Sequence, residues 1–132
     1  MFHINKQTDY ALVTIAYLRD KKGYIPLSDL ISETNMPQRF LARIMAELVR
    51  HKILESKEGK TGGYKLIRDP KNISLYGFLK IFDEDLNMVG CADPTYKCSC
   101  SSFCHHKRFF KENLTSLLTD QLKRWTVADA FK

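Results

Sequence analysis

Pro37-Gln-Arg-Phe-Leu-Ala-Arg-Ile-Met-Ala-Glu-Leu-Val-Arg50 and, after His51 and Lys52, Ile53-Leu-Glu-Ser-Lys-Glu-Gly-Lys-Thr-Gly-Gly-Tyr-Lys-Leu-Ile67 decide the fold. In the first piece Phe40, Leu41, Ile44, Met45, Leu48 and Val49 recur at three- and four-residue steps, the period of one helical face. Gln38, Arg39, Arg43 and Arg50 occupy the opposite face, and Pro37 suits the first position of such a helix. The second piece reads as two short strands, 53–57 and 64–67, around a turn containing Gly59, Gly62 and Gly63. Glycines there permit positive φ and close backbone approach. A basic amphipathic helix followed directly by a basic hairpin is the winged-helix arrangement.

The flanks agree. Upstream, Ala11, Leu12, Ile15 and Ala16 share one face of a helix over 8–18, with Thr8 the expected cap. That cap puts Asp9 in the first turn, at the positive end of the helix dipole. Gly23 breaks the pattern, and a shorter helix over 28–34 follows, with Ser28 as its expected cap. Asn35-Met36-Pro37 is a tight turn, so the two helices around it form a helix-turn-helix. Downstream, Asp69-Pro70 ends the hairpin. Ser74 then caps a helix bearing Leu75, Phe78, Leu79 and Phe82, which stops at Asp83-Glu84-Asp85.

The charge is concentrated on this region. Residues 36–80 hold ten basic and four acidic side chains, a surplus equal to the +6 of the whole 132-residue chain. A basic stripe on a helix and hairpin favours a polyanionic partner. The 44% hydrophobic content supports a core at this chain length, and dimerisation would add to the small stability margin. No apolar run reaches membrane length, and Met1-Phe2-His3-Ile4-Asn5-Lys6 is no secretory signal, so a cytoplasmic protein without membrane partners is expected.

All four cysteines fall in Cys91-Ala-Asp-Pro-Thr-Tyr-Lys-Cys98-Ser-Cys100-Ser-Ser-Phe-Cys104, with His105-His106 directly behind. The segment has almost no aliphatic side chains, so it cannot order itself by burial and needs a cross-link or a metal centre. In a cytosolic chain such a cluster points to metal or redox chemistry. Thiolates select iron–sulfur clusters, zinc or Cu(I). Four cysteines also make a closed zinc site, although these intervals are not paired C-x2-C knuckles. A thiol switch using Cys98, Cys100 and Cys104 is a third option, and the residues alone leave all three open.

Beyond the loop Phe110, Leu114, Leu117, Leu118, Leu122 and Trp125 form an apolar stripe at helical steps. It packs either onto the winged helix or against a second copy. A homodimer is the reading that lets a regulator span two half-sites. Thr126-Val-Ala-Asp129 has the form of a capping box with Asp in place of Glu.

With these pieces in place, the chain resembles the Rrf2 family of bacterial winged-helix regulators over nearly its whole length. The matching residues are Thr8-Asp9-Tyr10-Ala11-Leu12, Phe40-Leu41-Ala42-Arg43-Ile44, Ser56-x-x-Gly59-x-x-Gly62-Gly63-Tyr64-x-Leu66, the cysteine segment and Thr126-Val-Ala-Asp129. The wing signature and the cysteine segment together are specific. The resemblance implies an iron–sulfur cluster, 2Fe–2S or 4Fe–4S, held by three loop cysteines at a dimer and controlling DNA affinity. Cys98 and Cys104 fit the last pair and Cys91 the first, which leaves Cys100 a bystander or an exchange ligand. Some members place a histidine three residues past the last cysteine; here that position is Lys107. His105 and Cys100 are then alternates for the fourth ligand. The family's nitric-oxide-responsive members use a first-helix aspartate from the other subunit, and Asp9 matches it. The arginine that members often carry before the first wing glycine is Glu58 here. Minor-groove insertion would therefore fall to Lys57 or Lys60.

The expected molecule is mostly α with a small β-hairpin wing. A winged helix-turn-helix domain spans 1–86, a cysteine-rich loop 87–107, and a dimerisation helix with tail 108–132. Its expected role is a DNA-binding transcriptional repressor, acting as a homodimer on a palindromic operator in double-stranded DNA. Gln38, Arg39 and Arg43 would face the major groove, with Lys57, Lys60, Thr61, Gly62, Gly63 and Tyr64 on the backbone or minor groove. The expected centre is an iron–sulfur cluster on Cys91, Cys98, Cys104 and Asp9, with zinc the alternative. No phosphate loop, triad order or small-molecule substrate site marks an enzyme.

Overall fold

The computed structural model describes residues 3–83, 86–87 and 89–132, without the side chain of Ala92. In chain order they form α1 (Lys6–Leu18), α2 (Leu27–Thr34), α3 (Gln38–Arg50), β1 (Leu54–Lys57), β2 (Gly63–Leu66), α4 (Leu75–Phe82) and α5 (Thr115–Arg124). A π-helical segment, Phe109–Leu114, runs directly into α5, and a short 3-10 helix, Val127–Phe131, ends the chain. Glu84 and Asp85 of the expected acidic stop lie outside the described residues, but α4 does end at Phe82, before Asp83.

Capping explains where the helices begin, and it corrects three expectations. Thr8 is not the cap of α1. Asn5 is, its side chain accepting the Thr8 N–H at 2.8 Å, while Thr8 lies buried in the first turn. The Asn5 amide also donates to the Phe82 carbonyl at 3.0 Å, tying the start of α1 to the end of α4. Ser28 is likewise inside α2, which starts one residue earlier with Pro26 in the capping position and no side-chain cap. The Pro26 ring fixes φ at −63° for the approach to the helix. Pro37 occupies the same position before α3, one residue ahead of the expected place. Ser74 caps α4 as expected, and Thr126 and Asp129 form both halves of the capping box.

The core draws on every helix of the winged-helix region. Ile15 of α1, Leu30 of α2, Leu41, Ile44, Met45 and Leu48 of α3, Ile53, Leu54 and Phe78 are all essentially inaccessible to solvent. Val127 from the far end of the chain is buried with them, its N–H donating to the Ile73 carbonyl at 2.9 Å. Leu79, Leu86 and Leu122 make a second, smaller cluster with Leu118 packed against it. This cluster seats α5 on α4. The expected stripe is therefore divided: Leu118 and Leu122 pack within the chain, whereas Leu117 remains 68% exposed.

The hairpin pairs antiparallel from Leu54 opposite Leu66 to Lys57 opposite Gly63. Ile25 and Tyr64 add a third edge by exchanging backbone hydrogen bonds of 2.9 and 2.8 Å. That contact explains the paired glycines. Gly63 has φ 143° and lies so close to the Ile25 carbonyl that any Cβ would collide with it. A Cβ on Gly62 would strike the Lys57 carbonyl across the hairpin.

Candidate DNA-binding face and cysteine pocket

The amphipathic α3 buries Leu41, Ile44, Met45 and Leu48 and leaves Gln38, Arg39 and Arg43 exposed, as its sequence period requires. Arg43 also borders a cleft with Gln7 and Phe82, on the side of α3 that faces α4. On the wing Lys57, Lys60 and Thr61 are exposed, whereas Gly62 is buried and Gly63 and Tyr64 are half-buried. Tyr64 packs against the core. The outward part of the expected wing set is thus Lys57 to Thr61, and positions 62–64 anchor the hairpin to the segment before α2.

Sequence reasoning missed Tyr24. Its ring lies beneath the ammonium groups of both Lys57 and Lys65, at 5.5 and 5.9 Å from the centroid. Its hydroxyl donates to Glu55 Oε2 at 3.1 Å. Partial burial, with the Glu55 carboxylate beside it, pushes the Tyr24 phenol above its usual range. Tyr24 therefore braces the two wing lysines from one side. No local pattern announces it, because the contact spans more than thirty residues of chain.

The four cysteines converge. Cys91, Cys98, Cys100 and Cys104 line one cavity of about 280 Å³ together with Gly90, Tyr96, Phe103 and His106. All four thiols are free; Cys100 is exposed and the other three are half-buried. His106, not His105, is on the wall, and its ring meets Phe110 edge-on at 6.1 Å. Asp9 is exposed on the first turn of α1 and does not line this cavity within the same chain. Among the described residues no three His, Cys, Asp or Glu side chains are gathered tightly enough to hold a single metal ion. The thiols wall a space rather than a point.

The sequence model of the Rrf2 family, described as an iron-dependent transcriptional regulator, matches residues 4–132. The chain belongs to the Rrf2 family. An HTH-type transcriptional regulator of Aquifex aeolicus is 29% identical to it, over 91% of this chain and 85% of that one. The transcriptional regulator NsrR of Bacillus subtilis is 26% identical over 98% of this chain and 90% of its own length. Among solved structures, CymR, the global cysteine regulator of B. subtilis, superposes with a TM-score of 0.72 at 18% identity. That match covers 98% of this chain and 96% of CymR, so the two share a fold. This Rrf2 protein is a transcriptional regulator, which is a non-enzymatic class, and its fold is the expected winged helix. None of its described helices is long and apolar enough to cross a membrane.

Proposed function

We propose that this Rrf2 regulator binds a palindromic operator as a cytoplasmic homodimeric repressor, and that an iron–sulfur cluster on Cys91, Cys98 and Cys104 sets its affinity. The observation that carries the reading is the cavity walled by all four cysteines of the chain. The donor set fits the group: soft thiolates hold iron–sulfur clusters, and the three half-buried cysteines are the ones the family resemblance assigns as ligands. A space of about 280 Å³ is several times the volume of one ion or water, which suits a polynuclear centre. When bound, the cluster supplies a reactive, redox-active iron centre open to attack by nitric oxide or oxygen.

The chain's own residues would do the rest. Exposed Gln38, Arg39 and Arg43 read the major groove, and Lys57, Lys60 and Thr61 hold the backbone, with Gly62, Gly63 and Tyr64 fixing the wing that carries them. Asp9 completes the ligand set from a second copy. One fact supports that role: the NsrR relatives match over the length that includes this helix. Cys100 and His106 stand by at the same wall as exchange ligands, whereas His105, the alternate the sequence suggests, is not on that wall. The division at 86/87 and 107/108 separates the reading head, the sensing loop and the helix that brings two copies together.

The test is operator binding by anaerobically purified protein, with genomic fragments selected by the protein itself, before and after stoichiometric nitric oxide. Affinity should fall in step with the visible absorption of the cluster. Equal affinity in both states would overturn the sensing mechanism and leave the regulator.

A further inference from the structure

We infer that Lys65 is a further DNA-backbone contact of the wing, and that Tyr24 is the residue that positions it together with Lys57. Both roles rest on the wing meeting DNA, as proposed for Lys57 and Lys60.

The hairpin sends alternate side chains to opposite faces. Leu54 is buried and Tyr64 and Leu66 pack on the core, so that face is closed. Glu55, Lys57 and Lys65 belong to the other face, and all three are exposed. Glu55 is directly opposite Lys65, and Lys57 is one pair nearer the turn, opposite Gly63. Lys57 and Lys65 are therefore diagonal neighbours on one face, about 7–8 Å apart at the backbone. A DNA strand repeats its phosphate charge at every nucleotide. Two cations spaced in this way meet separate phosphates instead of competing for one.

The segment before α2 arranges the two lysines. Ile25 and Tyr64 exchange backbone hydrogen bonds, and the same antiparallel register sets Tyr24 opposite Lys65. The row across the outward face is then Tyr24, Lys65 and Glu55. The Tyr24 hydroxyl reaches past Lys65 and donates to Glu55 Oε2 at 3.1 Å. Its ring is thus fixed at one end by backbone pairing and at the other by a carboxylate. Lys57 Nζ and Lys65 Nζ lie 5.5 and 5.9 Å from the ring centroid, within the range of a cation–π contact.

That arrangement suits a phosphate backbone. A lysine pinned on a phosphate loses rotamer freedom, and a ring that already confines two lysines removes part of that loss beforehand. The ring engages each ammonium through its charge and leaves N–H donors for phosphate oxygens. Two ammonium groups gathered at one ring also repel each other. Glu55 offsets one of them, and a polyanion lying along the face offsets the other.

The full chain is titrated onto a fluorescently labelled duplex of mixed sequence, followed by anisotropy over a series of salt concentrations. Lys65→Ala should weaken the complex several-fold at low salt and lower the slope of log affinity against log salt by about one. Tyr24→Ala removes no charge, yet it should also weaken binding several-fold. Tyr24→Phe restores the ring and should recover most of that loss. In the Lys57→Ala, Lys65→Ala double variant, Tyr24→Ala should have no further effect, because its role runs through those two lysines.

Undiminished affinity and salt slope in Lys65→Ala would overturn the inference. So would an equal loss from Tyr24→Ala with and without the two lysines, which would assign Tyr24 to wing stability alone. Lys60→Ala, measured alongside, separates this failure from that of the DNA-binding reading. Binding that falls in Lys60→Ala and not in Lys65→Ala keeps the wing on DNA and removes Lys65 from it. If neither variant alters binding, the wing reading and the inference fall together.

Discussion

Phe78 on α4 and Phe103 in the cysteine segment are the same side chain in opposite circumstances: the first is fully buried and the second is 84% exposed. The contrast extends to their neighbourhoods. Around Phe78, α1, α3 and the chain's last turn all deliver buried aliphatic side chains to one core. Around Phe103 the hydrogen bonds are short-range, such as Phe103 N–H to the Cys100 carbonyl at 3.0 Å and Thr95 N–H to Asp93 Oδ1 at 2.8 Å. Burial dictates the shape of the winged helix. The cysteine segment has no apolar reason to hold its shape, and what it offers instead is four thiols around a cavity. The winged helix therefore holds its shape by its own burial, and the cysteine segment does not.

The contrast breaks first, and by the largest amount, at Phe78. Phe78→Ala should cost about 3–5 kcal/mol in urea unfolding, a large share of the stability of a domain this small. Phe103→Ala should stay within about 0.5 kcal/mol. A similar loss in both variants would mean that the cysteine segment belongs to the core after all.

The C-terminal helix sharpens the comparison, because it belongs to both regions. Leu118→Glu sets a carboxylate against Leu79, Leu86 and Leu122 and should destabilise the single chain by about 2 kcal/mol or more. Leu117→Glu, one residue away and largely exposed, should leave the fold intact and convert dimers to monomers in light scattering. A dimer that survives Leu117→Glu would place the interface elsewhere.

On the DNA face, Arg39→Ala should cost about 1–3 kcal/mol of operator affinity and relax sequence preference if the guanidinium reads a base. Lys60→Ala should weaken all sequences alike and lower the salt slope by about one. Unchanged binding and salt dependence in both variants would remove this face from the interface.

The smallest effect lies at the chain's end. The Asp129 carboxylate accepts the Thr126 N–H at 2.8 Å and lies 3.0 Å from Lys132 Nζ. These contacts, the backbone hydrogen bond foremost, hold it below its ordinary 3.8. A carboxyl group lowered in the folded state contributes its full stability above the unfolded value. The contribution is lost as the pH falls through the lower folded value. Asp129→Asn should therefore reduce stability slightly at neutral pH and flatten the acid limb below 3.8. An acid limb identical to that of the parent chain would show that the capping box contributes nothing.

What could be read in the sequence was what depends on near neighbours. The period of Leu41, Ile44, Met45 and Leu48, the Ser74 cap and the Thr126–Asp129 box each involve residues three or four apart, and each is present in the fold. The cap of α1 was misplaced because Asn5 precedes the apolar run, and Thr8 is drawn inside by burial. The Ile25–Tyr64 pairing, the Tyr24 brace and the burial of Val127 join distant segments that no local pattern connects. A helical stripe records only that a face is apolar, so α5 could not announce that Leu118 packs inward and Leu117 does not. The π-helical turn beside the cysteine segment left a faint trace at most. Its wide carbonyl at Phe110 is taken by the Thr115 hydroxyl at 2.8 Å, five residues on. The candidate site was legible as a density of cysteines, but the choice of His106 over His105 for its wall needed the fold.

The central claim is tested most directly by the iron, sulfide and zinc content and the visible absorption of anaerobically purified protein, compared across single cysteine variants. The parent chain should be brown, with thiolate-to-iron absorption and matching iron and acid-labile sulfide. Cys91→Ala, Cys98→Ala and Cys104→Ala should be colourless yet folded, and Cys100→Ala should retain the colour. A colourless parent chain carrying one zinc per protomer, or a cluster that survives Cys98→Ala, would contradict it.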